Sequence, residues 1–382
     1  MRLCSKWLAA ILLLSTLTGC WGAREIEHMV YPNTFGVDYK DNKVYVYLQF
    51  ISFSGVAKTE SGESNKEETF YVGKGEGGNL DEAIFNLYAS SQQRISWSHL
   101  KSIVITAPAL KQGLIVQLVD LFARYYEFRY TQWIMATHQS LDEVFSTPSN
   151  VDMSIVYSQL NNPKDSYSQS SWIAPLYLHR FIWMNNEKSY TVLLPLIKVD
   201  KDRWYRNDTA SPRIIVDGVC VMYNRSYTGD LRGGAMQGIR WMEKKTERTP
   251  LNVASEGKDL GMLVVENLKN EVKSMIEDHK PYFDVYITGE ANIPFLLQTT
   301  SEHKFKEAAE HEIARQVKES YDAGVDIGGD VLHLADNLLR EKPEEWHRLK
   351  RTREFPLESD SLRSVHVNIR IKSAGISKMR IH

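Results

Sequence analysis

Cys20 ends the stretch Leu17-Thr18-Gly19-Cys20, where an apolar run stops, and it is one of three cysteines in a chain of 382 residues. A thiol preceded by small residues at such a boundary has the pattern of a bacterial lipobox. The chemistry this implies is transfer of a diacylglyceryl group to the sulfur, cleavage before the cysteine, and attachment of further acyl chains such as palmitate. The upstream residues agree. Arg2 and Lys6 are positive, residues 7–17 carry no charge, and that run falls short of the roughly 20 apolar residues a spanning helix needs. We expect residues 1–19 to be a lipoprotein signal peptide and the mature chain to rest on a membrane through acylated Cys20, because two long acyl chains at ~0.8 kcal/mol per buried methylene anchor stably. The plainer alternative is an ordinary signal peptide, or a buried N-terminal helix, that happens to end in Gly-Cys. Just after the anchor stand Trp21, Arg24 and Glu25, the candidate contacts with the membrane or a partner. An indole suits the headgroup layer, with its apolar ring and single N–H donor, and a charged pair suits docking of the anchored end.

Other residues that could do chemistry fail on spacing. Gly73, Gly75 and Gly78 in GKGEGG match the glycine pattern of a dinucleotide loop, after a strand and before a helix. Glu76 would lie against the pyrophosphate, however, Gly78 precedes the helix cap, and no acidic residue closes the next strand. We read a glycine-rich connection, in which Gly75→Ala costs about 1 kcal/mol or less unless the backbone there is left-handed. His311-Glu312 opens HEIAR, but the place where a zinc protease carries its second histidine holds Arg315, whose charge would repel a metal. No other Cys/His group has ligand spacing, and no G-x-S-x-G elbow occurs. The paired acids Asp81-Glu82 and Glu344-Glu345 read as charges that favour helix starts. The basic run 347–353 reads as a solvated polar turn, with contact to anionic lipid headgroups as the alternative. We therefore expect no enzyme, no metal and no cofactor.

Loss of Arg2 and Lys6 with the signal takes the formal net charge from −2 to −4, a mild value that argues against a nucleic-acid partner. Cys4 would leave with the signal and Cys20 would carry lipid, so Cys220 alone remains and no structural disulfide is available. A chain of ~360 residues can bury two or three cores without one.

Along the chain, residues 44–51 place bulky side chains on both faces and predict a strand covered on both sides. Residues 54–68 are polar and rich in glycine and serine, as in a mobile loop. A rhythm of strand, helix, strand, helix, strand follows at 69–72, 79–93, 101–106, 109–126 and 132–137. In its first helix Asn79 and Glu82 make a capping box, and Leu80, Ala83, Ile84, Leu87 and Tyr88 an apolar stripe. Such alternation predicts a partly parallel sheet with helices packed on it. A helix-rich stretch occupies 141–184. After a linker at 200–212, strands are expected at 213–223, 260–266 and 283–293, helices around 305–317 and 331–339, and a last strand with Val365, Val367, Ile369 and Ile371 on one face. The expected fold class is mixed α/β and α+β in a multi-domain chain. Residues 20–199 form an N-terminal α/β module with a partly parallel sheet, with room for two subdomains, and residues 213–382 a C-terminal α+β module of mostly antiparallel sheet with helices.

The stretch LTGCWGAREIEHMVYPNTFGVD resembles the start of mature spore germination lipoproteins of the Ger(x)C family, the C subunits of nutrient germinant receptors. Cys20, Trp21, Arg24, Glu25, Ile26, Gly36 and Asp38 occupy the family's places, while Gly22-Ala23 departs from the acid and basic residues that relatives tend to carry. The likeness continues at Gly78-Asn79-Leu80 with Ala83, at Ser98-His99-Leu100-Lys101, through Tyr321-Asp322-Ala323-Gly324-Val325-Asp326-Ile327-Gly328-Gly329, and at Pro343 to Trp346, Phe355-Pro356 and the final strand. This resemblance implies a three-domain mixed α/β protein without known enzymatic activity. It implies work beside two integral-membrane receptor subunits on the outer face of the spore inner membrane, where small nutrients trigger germination; the family favours the membrane subunits as the binders of those nutrients, and this sequence does not decide which subunit touches them. A lipid-anchored solute-binding protein, with two similar lobes around a cleft, is the alternative.

Overall fold

The computed structural model describes Trp7 and residues 29–51, 70–125, 127–149, 153–352, 355 and 357–373. Cys20, Trp21, Arg24 and Glu25, and the loop expected at 54–68, lie outside the described residues. The first half of the chain runs through β1 (Met29–Val30), β2 (Pro32–Lys40), β3 (Lys43–Ile51), β4 (Phe70–Gly77), α1 (Leu80–Ser90), β5 (Arg94–Ile95), β6 (Ser102–Thr106), α2 (Ala107–Lys111), α3 (Leu114–Arg124) and β7 (Trp133–Thr137). Then come α4 (Leu141–Phe145), α5 (Pro163–Gln169), α6 (Leu178–Asn186), β8 (Val192–Asp200), the small hairpin β9 (Tyr205–Arg206) and β10 (Thr209–Ala210), and the hairpin β11 (Arg213–Tyr223) and β12 (Ser226–Arg232).

Eight of these strands form one sheet in the order β12-β11-β8-β7-β6-β2-β3-β4. Its centre is parallel, β2 with β6, β6 with β7 and β7 with β8, and antiparallel hairpins flank it on both sides. Parallel neighbours need crossover connections, which α1, the α2–α3 pair and the α4–α6 stretch supply. Every residue of β6 and β7 is buried, as expected of strands covered on both faces. Period-two alternation divides them: Ile103, Ile105, Ile134 and Ala136 face the core under α1, α3 and α6, whereas Val104, Trp133 and Met135 face Leu141, Val144, Phe145 and Leu160.

The second half continues with α7 (Ile239–Met242), β13 (Arg248–Ser255), β14 (Lys258–Glu277), β15 (Lys280–Leu296), α8 (Glu302–Asp326), α9 (Leu334–Glu341), α10 (Pro343–Thr352) and β16 (Leu362–Ser373). A four-stranded sheet β13-β14-β15-β16 is antiparallel except for its last pair. Helix α8 lays Phe305, Ala309, Ile313, Val317 and Tyr321 on it, a four-residue spacing that keeps one face inward. β16 alternates as expected, with Val365, Val367, Ile369 and Ile371 turned inward and His366, Asn368, Arg370 and Lys372 exposed.

Several elements differ from the sequence reading. The helix expected at 109–126 is two helices, because Gly113 adopts φ 69° at the start of α3 and interrupts the backbone spiral. The strand expected at 69–72 continues to Gly77, so GKGEGG is mostly ladder rather than connection: Gly73, Gly75 and Gly77 pair with Leu48, Val46 and Val44. Residues 200–212 hold the β9–β10 hairpin, and β11 and β12 beyond them join the larger sheet through β8. The basic run expected as a turn lies in α10 through Thr352, with Leu349 buried. β11 is a wall shared by both halves, since Cys220 and Met222 face the first core while Val219 and Val221 face the second.

Candidate functional site

Two residues fix where the N-terminal segment joins the folded body. Met29 and Val30 pair in parallel with Arg94 and Ile95, and the Ser96 amide donates to the Val30 carbonyl at 2.9 Å. Arg94 and Ile95 are at the same time part of the wall of an open cleft of about 620 Å³, whose other walls include Phe85 and Tyr88 of α1, Trp97, and Tyr125 and Glu127 after α3. The segment that carries Cys20 therefore meets the body at the rim of an aromatic cleft.

Trp97 is the floor. It is 4 % exposed, and its indole N–H donates to the Tyr88 hydroxyl at 2.8 Å. Its ring packs against Phe35, Tyr88 and Phe128 at centroid distances of 5.6, 6.3 and 5.3 Å. The Trp97 amide donates to the Glu127 carboxylate at 3.1 Å, and Arg94 pairs with the same carboxylate at 3.7 Å. Burial pushes the Tyr88 phenol above its ordinary range, so it stays protonated at neutral pH. At the mouth Phe85 is 59 % exposed and meets Tyr88 edge-on at 5.8 Å. Aromatic walls with one ion pair at the rim can hold an apolar or planar group and orient it.

The motifs that carried the family resemblance have structural work here. Asp38 accepts from the Thr106 hydroxyl at 2.6 Å, tying the ends of β2 and β6 together. A Cβ on Gly36 would lie 2.8 Å from side-chain atoms of Leu141 and Phe145, so α4 approaches β2 closely. Asn79 caps α1 by accepting from the Glu82 amide at 2.9 Å, while Glu82 reaches back to the Gly78 amide at 2.7 Å, one residue earlier than a capping box requires. His99 stacks on Tyr31 at 4.5 Å, beside the incoming chain. Tyr321 donates to the Glu358 carbonyl at 2.6 Å, and the Asp330 amide after the Gly328-Gly329 turn donates to Thr191 at 2.9 Å, which joins the two halves.

Glu312 of HEIAR accepts from Arg315 at 2.7 Å and from Gln316 at 2.8 Å, and the Arg315 guanidinium holds its carboxyl below the usual range. Gln316 in turn accepts from Trp241 at 2.9 Å and from buried Arg240 at 3.1 Å, so this helix face docks α7. Sequence reasoning missed the cleft residues Tyr88, Trp97, Tyr125 and Glu127, whose one signal is a high density of aromatics. It also missed the approach of His138 to Cys220 and Asp230, because those residues are far apart in sequence and follow no ligand spacing.

Comparison with known proteins matches residues 22–199 to the family described as Spore germination protein N-terminal domain and residues 217–375 to Spore germination B3/GerAC like, C-terminal. Spore germination protein KC of Bacillus subtilis (strain 168) is 24 % identical over 370 residues, covering 90 % of each chain. Spore germination protein B3 of the same organism is 20 % identical over 363 residues, covering 92 % of each. The crystal structure of the GerBC protein shares the fold with a TM-score of 0.51 at 16 % identity, over 90 % of this chain and 97 % of that one. Both halves, in the same order and over nearly the whole described length, make this chain a member of the Ger(x)C family of spore germination proteins.

Proposed function

We propose that this protein is a non-catalytic, lipid-anchored subunit of a spore nutrient germinant receptor, required for the germination response and seated beside two integral-membrane subunits on the outer face of the spore inner membrane. The observation that carries it is the pair of family matches from residue 22 to residue 375, with relatives named as spore germination proteins over most of their own lengths. No helix among the described residues is long and apolar enough to cross a membrane, and acylation of Cys20 supplies the attachment, with residues 1–19 removed as signal. We take the body as a module at 20–199, the 200–212 segment and a module at 213–382 whose first hairpin, β11–β12, completes the larger sheet of the first half.

The geometry of the junction supports an orientation. From Cys20 to Met29 the chain can reach at most about 30 Å, at 3.3–3.6 Å per residue. That tether holds the β1–β5 end, with its aromatic cleft, near the bilayer surface. Trp21 rests in the headgroup layer, and Arg24 and Glu25 dock on a membrane subunit. A solute-binding protein would need two similar lobes, whereas the two larger sheets among the described residues have eight and four strands and the cleft lies within the first half. Affinity purification of the tagged chain from spore membranes tests the proposal: two multi-span proteins should copurify. Recovery of the chain alone from membranes in which those proteins are intact would refute it.

A further inference from the structure

Three side chains of metal-binding type converge at the β11–β12 end of the larger sheet, away from the aromatic cleft. His138 directly follows β7, Cys220 lies in β11 and Asp230 in β12, and one ligand atom from each falls within 4.8 Å of the others. Cys220 and Asp230 are cross-strand partners, so the ladder itself sets their spacing. His138 Nε2 meets Asp230 Oδ2 at 2.5 Å. The second carboxylate oxygen, Oδ1, is buried and makes no hydrogen bond of ordinary geometry among the described residues, with the Cys220 thiol and the Tyr227 phenol facing the carboxylate, although an ionised carboxylate has lone pairs to fill at both oxygens. The cysteine is fully buried, whereas the histidine side chain is 38 % exposed and opens a way in from solvent.

We propose that His138, Cys220 and Asp230 form a three-ligand site for a borderline divalent cation of the Zn²⁺ class, with the fourth position left to water or to a partner's side chain. Imidazole, thiolate and carboxylate together suit such an ion, where carboxylates alone would favour a harder one. Bond lengths of 2.0–2.3 Å in a tetrahedron put ligand atoms roughly 3.3–3.8 Å apart. The His138–Asp230 separation of 2.5 Å is shorter than that range, and no pair of ligand atoms is more than 4.8 Å apart. Rotation of the half-exposed imidazole away from Asp230 opens the gap, and the ladder holds the other two in place. Binding exchanges the thiol proton for the metal: the S–H bond breaks, the sulfur keeps the electron pair and donates it to the ion, and the proton leaves to water. Arg232 is the cation nearby, 3.8 Å from Asp230; it also pairs with Asp217 at 3.4 Å and is 46 % exposed, so it can stay on Asp217 when the ion arrives.

Titration of the purified full-length chain with Co²⁺ tests this. The expected result is a thiolate-to-cobalt charge-transfer band that saturates at one equivalent and is displaced by Zn²⁺. It should vanish in Cys220→Ser, and His138→Ala should weaken binding at least tenfold. His138 is part exposed, so that variant keeps the test open if the buried cysteine variant fails to fold. Absence of a saturable band in the parent chain, or a band of unchanged affinity in folded His138→Ala, would overturn the proposal.

Discussion

Gly75→Ala separates the two readings of the glycine-rich motif more sharply than any ligand screen. Gly75 sits in β4 opposite Val46, and a Cβ built on it would lie 2.1 Å from the Ala83 carbonyl oxygen of α1 and 2.9 Å from Leu87 Cβ. Ordinary contact begins near 3.4 Å, so helix or strand must give by more than 1 Å. Both partners are backbone or near-backbone atoms, and neither can swing aside as a long side chain would. β4 is an edge strand and can bow outward, which limits the strain. Gly77, however, meets Ala83 N at 2.6 Å by the same measure, so the strand is pinned at a second point under the helix. Lifting α1 would open the core around Leu80, Ile84 and Leu87. Overpacking of this kind costs about 1–3 kcal/mol, and we expect about 2 kcal/mol, above the limit of about 1 kcal/mol read from the sequence. Thermal melting of the N-terminal half should then start about 4–8 °C lower. Gly73→Ala is the control, because its Cβ would meet only Phe50 and Leu87 side chains at 3.6 Å and beyond; relief of glycine's chain entropy makes it neutral or slightly stabilising. If the two variants melt within about 1 °C of each other, the close seating of α1 on β4 is wrong.

Cys20→Ala should leave the fold intact and move the protein from the membrane to the soluble fraction of disrupted spores, and full retention would show that another contact holds it. Arg24→Ala with Glu25→Ala should leave lipidation unchanged while lowering the amounts of the membrane subunits and slowing germination; normal values of both would reduce the segment to a spacer. His333 stacks on Tyr190 at 4.2 Å, and burial lowers its pKa to about 4. The unfolded chain then takes up a proton near pH 6.5 that the folded chain refuses until about pH 4, so stability falls as pH drops through that window. At pH 5 the parent should have lost about 1 kcal/mol relative to His333→Asn, allowing for partial exposure of the ring; asparagine suits the φ of 58° there, and parallel pH profiles would count against the assignment.

The parallel centre of the larger sheet was legible because SIVIT and WIMAT are apolar runs with helix-length segments between them. Hairpins were legible in principle and mostly overlooked. Asp41-Asn42, Asn207-Asp208, Asn224-Arg225, Glu256-Gly257 and Asp278-His279 all hold both central residues at positive φ, the mirror-image turn that suits twisted strands. Four of the five contain Asn or Asp in the left-handed region, which was the available signal. The extent of β14 and β15 was not legible, since Leu268 to Glu277 alternates between exposed and half-buried positions with few fully buried residues, and hydropathy there looks like a loop. GKGEGG misled for a related reason. Glycine spacing of two fits a phosphate loop in sequence, and equally fits a strand that clears one face for a helix. Only the Gly77 pairing with Val44, two further along the same face, separates the two.

The candidate site was half legible for a physical reason. A lipidation signal is read by an enzyme from a short unfolded stretch, so the features that direct it have to be local, and the proposal for Cys20 and its flanks rests on sequence alone. The cleft obeys no such rule. Phe85, Trp97, Tyr125 and Glu127 come from separate segments and meet only because α1 and α3 cross the same face of the sheet. What links cleft to tether is smaller still, the two-residue ladder of Met29-Val30 with Arg94-Ile95. So short a pairing contributes little to overall stability, yet it decides which end of the body the tether leaves from. Its backbone bonds survive most side-chain changes. Under the proposed function, substitutions in the cleft should change what that end of the body touches, and substitutions at Cys20 should change only whether it is held at the membrane.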